Sequence, residues 1–268
     1  MQWVRVMHDG KPVFGVVDGD RIALTSLSWS EVLAGRQPDR VATIPLAGAR
    51  LLSPVERPGK IVAIGQNYWD HCREQNKPAP EWPIIFTKFT TAINNPGDPI
   101  RWSPALTSQV DFEAELAVVI GRMARRVPES EALSYVFGYT AANDVTARDL
   151  QYGDKQWVRG KSLDTFCPLG PAVTTAADIP DPQRLAIRTT LNGRVMQDSH
   201  TGEMIFSVAH LIAFASAAFT LEPGDIILTG TPDGVGVFRK PPIFLQNGDV
   251  IVVEIERIGR LENPCITE

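Results

Sequence analysis

The amino-acid sequence predicts a mixed, mainly β (α+β) fold, and three features carry that expectation. Most apolar stretches are short, alternate with polar residues and end at Gly, Pro, Asn or Asp, as strands do. Asn192-Gly193 joins Leu185 to Leu191 with Arg194 to Asp198, the signature of a hairpin closed by a two-residue turn. Helical patterns are few, and the clearest runs from Ser207 to Thr220, with Ser207 as its cap and Pro223-Gly224-Asp225 beyond its end.

At 268 residues the chain is long enough for one large core and a small attached domain without disulfides. Its three cysteines, Cys72, Cys167 and Cys265, are far apart and lack Cys-x-x-Cys spacing, which argues against a disulfide framework and a zinc knuckle. The formal net charge of -5 is spread over charges of both signs, so neither a nucleic-acid footprint nor a polybasic membrane patch is expected. No apolar run is long enough to cross a bilayer, and Met1 to Val6 alternates like a strand rather than a secretion signal. A soluble cytoplasmic protein is expected; a mitochondrial matrix protein stripped of its transit peptide would read the same way.

In chain order, Trp3 to Val6, Val13 to Val17 and Arg21 to Leu24 form a β meander, followed by a short helix over Ser28 to Gly35. Arg57-Pro58-Gly59 then breaks the chain, dividing a small N-terminal domain (1–58) from a catalytic domain (59–268). Lys60 to Gly65 is a strand, Asn67 caps a helix through Asn76, and the Pro-rich 77–83 segment is a mobile connection. Pro83 to Lys88 and Phe137 to Ala142 return to the sheet, with a helix over Pro128 to Val136 between them. Gln156 to Phe166 reads as a loop, Ile226 to Leu228 as a buried strand, and Phe244 to Ile255 as a last hairpin about Asn247-Gly248-Asp249.

The chemistry centres on Val110 to Ile120. Strand alternation places Glu113, Glu115, Ala117 and Val119 on one side, so two carboxylates point the same way in an otherwise apolar segment. Like charges so placed persist mainly around a cation, although an exposed edge with two solvated glutamates fits the same pattern. Asp144, ending another apolar run, is a third candidate ligand. Three carboxylates without a close histidine pair suit Mg²⁺, with oxygen ligands at about 2.1 Å, better than zinc.

His71 and Glu74, three apart on one helix, match a carboxylate-held general base, or else a solvated helix face. Arg148 and Gln151 are placed to hold a substrate carboxylate, or lie on an exposed turn. Lys161 is a candidate to stabilise an enolate oxygen or relay a proton, though a lone lysine is commonly a surface residue. Gly230 and Thr231, just after a buried strand, offer a backbone amide and a hydroxyl to an anionic ligand; their spacing is not that of a nucleotide-binding loop.

From about residue 58 to 268, the sequence resembles the fumarylacetoacetate hydrolase family. The resemblance rests, in order, on Ala63-Ile64-Gly65-Gln66-Asn67-Tyr68 with His71 and Glu74, Asp111 to Gly121, Asn143 to Asp149, Gly160-Lys161-Ser162, and Leu228 to Pro232. Phe166 to Pro171 and Gly234 to Pro242 look closest to the second of the animal domain-containing members, a branch associated with oxaloacetate keto–enol tautomerisation; bacterial acylpyruvase and oxaloacetate decarboxylase members are also similar. The resemblance implies a β-roll core, a homodimer, and Mg²⁺ or Mn²⁺ held by Glu113, Glu115 and Asp144. It further implies that His71 and Glu74 sit on a lid that orders over substrate, with Lys161 beside the ion.

Together these roles describe a metal-dependent enzyme for small 2-oxo acids working through an enolate that the cation stabilises. Hydrolysis of an acylpyruvate, with possible oxaloacetate decarboxylation, is the first expectation because the His/Glu pair is present. Oxaloacetate tautomerisation is the alternative, and a non-catalytic binding protein with a vestigial metal site is the alternative of another class.

Overall fold

The computed structural model describes residues 1–268. Strands β1 (Gln2–His8), β2 (Lys11–Asp18) and β3 (Arg21–Leu24) form the expected antiparallel meander. The helix α1 (Trp29–Leu33) begins with a capping box in which Ser28 and Glu31 bond each other's backbone. Its Trp29 stacks on Phe14 at 5.2 Å. After β4 (Ala42–Pro45) and β5 (Leu51–Leu52) the chain enters the region rich in site residues through β6 (Ile61–Gly65), α2 (Trp69–Glu74) and β7 (Ile84–Thr87). Short strands β8 (Ile93–Asn94), β9 (Ile100–Trp102) and β10 (Val110–Asp111) lead to β11 (Ala114–Ile120).

The second half contains β12 (Val136–Asn143), β13 (Thr146–Ala147), α3 (Arg148–Gly153), α4 (Val158–Lys161), β14 (Cys167–Thr175), the hairpin β15 (Ala186–Leu191) and β16 (Arg194–His200), and α5 (Val208–Ala218). It closes with β17 (Ile226–Leu228), β18 (Val250–Ile255) and β19 (Gly259–Thr267). A twelve-stranded sheet has the path β4-β3-β2-β1-β14-β12-β11-β17-β6-β7, with β5 beside β1 and β8 beside β14. A five-stranded sheet, β16-β15-β18-β19-β9, packs across one of its faces. The architecture is mainly β and mixed, as the sequence predicts.

β11 is interior to the large sheet and buried on both sides. Leu116, Val118 and Ile120 join the core shared with α5 and the second sheet, while Ala117 and Val119 join the core beneath β1 and α1. That double burial explains the unbroken apolar run and excludes the exposed-edge interpretation of its glutamates. The N-terminal meander is not a separate sheet, because Gln2 and Trp3 pair with Thr174 and Val173 of β14.

Four local expectations change. Asn67 does not cap α2, whose N-cap is Tyr68; its side chain donates to the Phe206 and Thr229 carbonyls and accepts from the Phe206 N–H. Long-range partners thus outcompete the helix end for the same amide. Glu129–Tyr135 forms a 3₁₀ helix rather than an α-helix. Lys161 ends helix α4 instead of lying in a loop. The last hairpin pairs β18 with β19 and turns after Ile255, where Arg257 takes a φ of 64°, so Asn247-Gly248-Asp249 only introduces β18.

Candidate active site

The acids gather where a ladder is interrupted. The β11–β12 pairing stops at Ala114 opposite Asn143, and pairing resumes in β10–β13 with Asp111 opposite Thr146. Between these two ladders the Asp144 N–H donates to the Glu113 carbonyl at 2.9 Å, and the Asn143 side chain accepts from the Glu113 N–H at 3.0 Å. The gap turns Glu113 and Asp144 toward Glu115, and one carboxylate oxygen from each residue lies within 4.8 Å of the others. All three are buried, Glu115 to 1% exposure and Asp144 to 0%.

Each acid has a different environment. Glu113 receives Arg148 at 2.6 Å and Lys161 at 2.8 Å. Burial pushes its pKa up, but those two cations outweigh it and hold the carboxyl below the usual range. Asp144 receives Lys88 at 2.5 Å and Lys161 at 2.8 Å. Glu115 has only the Gly230 N–H, at 2.8 Å. Burial, together with Asp144 and Glu113, pushes the Glu115 carboxyl well above the usual range.

Counting side chains, buried Asp111, Glu113, Glu115 and Asp144 meet buried Lys88, Arg148 and Lys161. One carboxylate is in excess, and Glu115 is the one without a cationic contact. This fits an additional cation, and an all-oxygen donor set fits a hard one.

Lys161 reaches the acids because α4 lies against α3 at Gly160, where a Cβ would stand 2.7 Å from the Gln151 backbone nitrogen. Burial lowers the Lys161 pKa, but Asp144 and Glu113 more than reverse this, so the amine stays protonated. Its ammonium bridges Glu113 and Asp144, at 2.8 Å from each. Arg148 also bonds Asp111 through Nε at 2.8 Å and the Gln151 side-chain oxygen at 3.1 Å.

Two participants carry no local signal in the sequence. Lys88 holds Asp144 and also donates to the Lys161 carbonyl, while Asp111 accepts from Arg148 and from the Gly236 and Val237 N–H groups.

The predicted lid residues face this centre across a narrow cavity of about 80 Å³, lined by His71, Phe86, Glu113, Arg148, Gln151, Lys161, Thr231 and others. His71 Nδ1 lies 3.0 Å from one Glu74 oxygen, and the other Glu74 oxygen accepts from the Gly234 N–H at 2.9 Å. The ring is thus oriented with Nε2 left for a ligand. Further ties fasten α2, with Asp70 bonded to Ser199 and Arg73 paired with Glu203 at 2.8 Å. Thr231 accepts from Gln197 at 2.8 Å and keeps its hydroxyl proton as a donor.

Gly230 departs from expectation. Its amide serves Glu115 rather than a ligand, in a backbone with φ of 94° where an added Cβ would meet Asn67 at 2.8 Å. A larger depression of about 760 Å³, lined by Phe89, Leu106 and Leu150, contains none of the acids, so size alone does not mark the site.

Sequence comparison agrees with this geometry. The fumarylacetoacetate hydrolase C-terminal family profile matches residues 60–266, which include every residue of the centre. The chain belongs to the fumarylacetoacetate hydrolase family. An Rv2993c-like N-terminal profile matches residues 1–54.

The mitochondrial oxaloacetate tautomerase fahd2 of Xenopus laevis is 53% identical over 218 residues, covering 81% of this chain and 68% of that protein. Its Bos taurus relative FAHD2A is 50% identical over 229 residues, covering 85% and 73%. Among solved structures, the family's hydrolase from Exiguobacterium antarcticum superposes with a TM-score of 0.91 at 39% identity over 100% of both chains. A 5-carboxymethyl-2-hydroxymuconate delta-isomerase from Mycobacterium smegmatis gives 0.87 at 39% identity, again over 100% of both. Relatives named as tautomerases and isomerases support the alternative of tautomerisation better than they support acylpyruvate hydrolysis.

Proposed function

We propose that this protein interconverts the keto and enol forms of oxaloacetate. One observation carries the reading: relatives about half identical over most of the chain are oxaloacetate tautomerases. The site supplies compatible chemistry. Glu113, Glu115 and Asp144 would hold Mg²⁺ or Mn²⁺, which when bound acts as a Lewis acid toward a 2-oxo acid.

Arg148, Gln151 and Thr231 orient the carboxylate of the substrate, and the protonated Lys161 stabilises negative charge on the enolate oxygen. His71, held by Glu74, takes a proton from C3 of the keto form and returns it to the enolate oxygen to give the enol. Ketonisation runs the same transfers backwards. A cavity of about 80 Å³ suits a small acid rather than the drug-sized ligands that fill pockets of roughly 300–1,000 Å³.

Acylpyruvate hydrolysis remains a second reading because the same His71–Glu74 pair, 3.0 Å apart, is equipped to activate water. Oxaloacetate decarboxylation would share the enolate. No helix is long and apolar enough to cross a membrane, and three free buried cysteines fit a reducing compartment such as cytoplasm or mitochondrial matrix. The homodimer implied by the family resemblance is part of the same proposal and is read by sedimentation.

The decisive experiment follows the enol absorbance of oxaloacetate and the release of pyruvate separately, with Mg²⁺, and repeats the pyruvate assay on acetylpyruvate. Rapid ketonisation without pyruvate supports tautomerisation. Pyruvate release from acetylpyruvate outpacing ketonisation would reverse the order of the two readings.

A further inference from the structure

We infer that Lys77 recognises the second carboxylate of a four-carbon dicarboxylic 2-oxo acid and makes the site selective for it; the inference rests on the enolate chemistry proposed above. Three lysine and arginine residues line the cavity: Lys77, Arg148 and Lys161. Arg148 is committed to Asp111 and Glu113, and Lys161 to Glu113 and Asp144. Lys77 pairs with no carboxylate, and its exposed position puts it at the mouth. It is therefore the cavity's one uncommitted cation.

Its placement follows from how α2 ends. Asn76 adopts a φ of 52°, its N–H donates to the Arg73 carbonyl at 3.0 Å, and the Lys77 N–H donates to the Cys72 carbonyl at 3.0 Å. These two bonds and the left-handed residue make a Schellman motif, which reverses the chain at the helix end and fixes the Lys77 backbone. The same chain reversal that ends the helix of His71 and Glu74 thus brings Lys77 to the cavity lining.

Gln66 and Gln75, bonded to each other at 3.2 Å, line the same cavity and bring neutral polar groups. The single carboxylate lining the cavity, Glu113, is already paired with two cations. The carboxylate common to mono- and dicarboxylic acids can be met by the Gln151 and Thr231 side chains beside the already paired Arg148. A dicarboxylate carries a second charge that loses water as it enters, and Lys77 is the group available to compensate it.

The test compares oxaloacetate with its 4-methyl ester, which keeps the shape and removes the charge. In K77M, KM for oxaloacetate should rise about three- to fivefold, as for the upper range of an exposed ion pair, with kcat within about twofold and KM for the ester unchanged. K77R should restore the wild-type value. Equal effects on both substrates, or a fall in kcat, would show that Lys77 only secures the helix end.

A binding measurement separates this inference from the proposed reaction. Calorimetry of the Mg²⁺-loaded protein with malate and lactate, which differ by one carboxylate, requires no turnover. A malate preference lost in K77M supports the assignment even if tautomerisation fails. An unchanged preference in K77M, or none in the wild type, overturns it even if tautomerisation is real.

Discussion

Replacing Glu115 with glutamine should raise the stability of the metal-free protein and lower that of the Mg²⁺-loaded one. Glutamine keeps the shape and can still accept the 2.8 Å bond from the Gly230 N–H. What disappears is a negative charge with two like neighbours. Ligand oxygens lie within 4.8 Å of one another, so each neighbouring carboxylate repels an ionised Glu115 by roughly 3–4 kcal/mol at an effective dielectric of about 20. Lys161 offsets part of that repulsion.

A net gain of about 2 kcal/mol for the variant in EDTA is expected, or roughly 4–8 °C in Tm for a domain of this size. The pH dependence has a definite sign. The folded-state pKa of Glu115 is raised, so the native state binds the proton more tightly and wild-type stability falls as pH climbs from the ordinary carboxylate value through the raised one. E115Q removes that fall, and its advantage should vanish below the ordinary carboxylate pKa.

With Mg²⁺ at 100 times Kd the wild type gains about 2.7 kcal/mol by mass action and the variant almost nothing, which inverts the order of melting. Thermal scans at several pH values, with EDTA and with Mg²⁺, check all of this. A variant that melts below wild type in EDTA, or retains the full Mg²⁺ shift, refutes the assignment of Glu115 as a ligand in charge excess.

H71Q should lower ketonisation about 10²–10⁴-fold while the Mg²⁺-induced thermal shift stays intact, because His71 touches Glu74 and not the acids. K88M leaves Asp144 with one fewer buried cation, and urea unfolding should show a loss of about 3–5 kcal/mol, partly recovered by Mg²⁺. G230A places a Cβ against Asn67 in a left-handed backbone; a stability loss of about 1–3 kcal/mol together with weaker Mg²⁺ binding in calorimetry is expected.

Features decided by neighbours in sequence are legible in the residues alone. The Asn192-Gly193 turn has φ of 52° and 79°, the values its residue types favour. Glu115, Ala117 and Val119 do share a side, because strand alternation needs no tertiary information. Glu113 is different, since it sits in the break between two ladders and reaches the centre by the turn of the chain there.

Long-range partners decide the rest. Lys88 meets Asp144 from 56 residues away and Asp111 meets Arg148 from 37, so no local spacing assigns either a role. Asn67 has the right chemistry for a helix cap but closer partners at Phe206 and Thr229. Gly230 is readable as a backbone donor, yet only the fold shows that Glu115 uses the donation.

The pairing of β1 with β14 has a consequence for how this chain can be cut. Two profiles meet between residues 54 and 60, which looks like a seam at which the front piece could be removed. In three dimensions the two pieces share a sheet, because Gln2 and Trp3 pair along β14 and Trp3 contributes to the core beneath it. A shortened protein beginning at residue 60 would present a bare strand edge and an opened apolar face, the combination that templates self-association. Whatever the separate histories of the two pieces, mechanically the front one is a hem that keeps the large sheet from fraying.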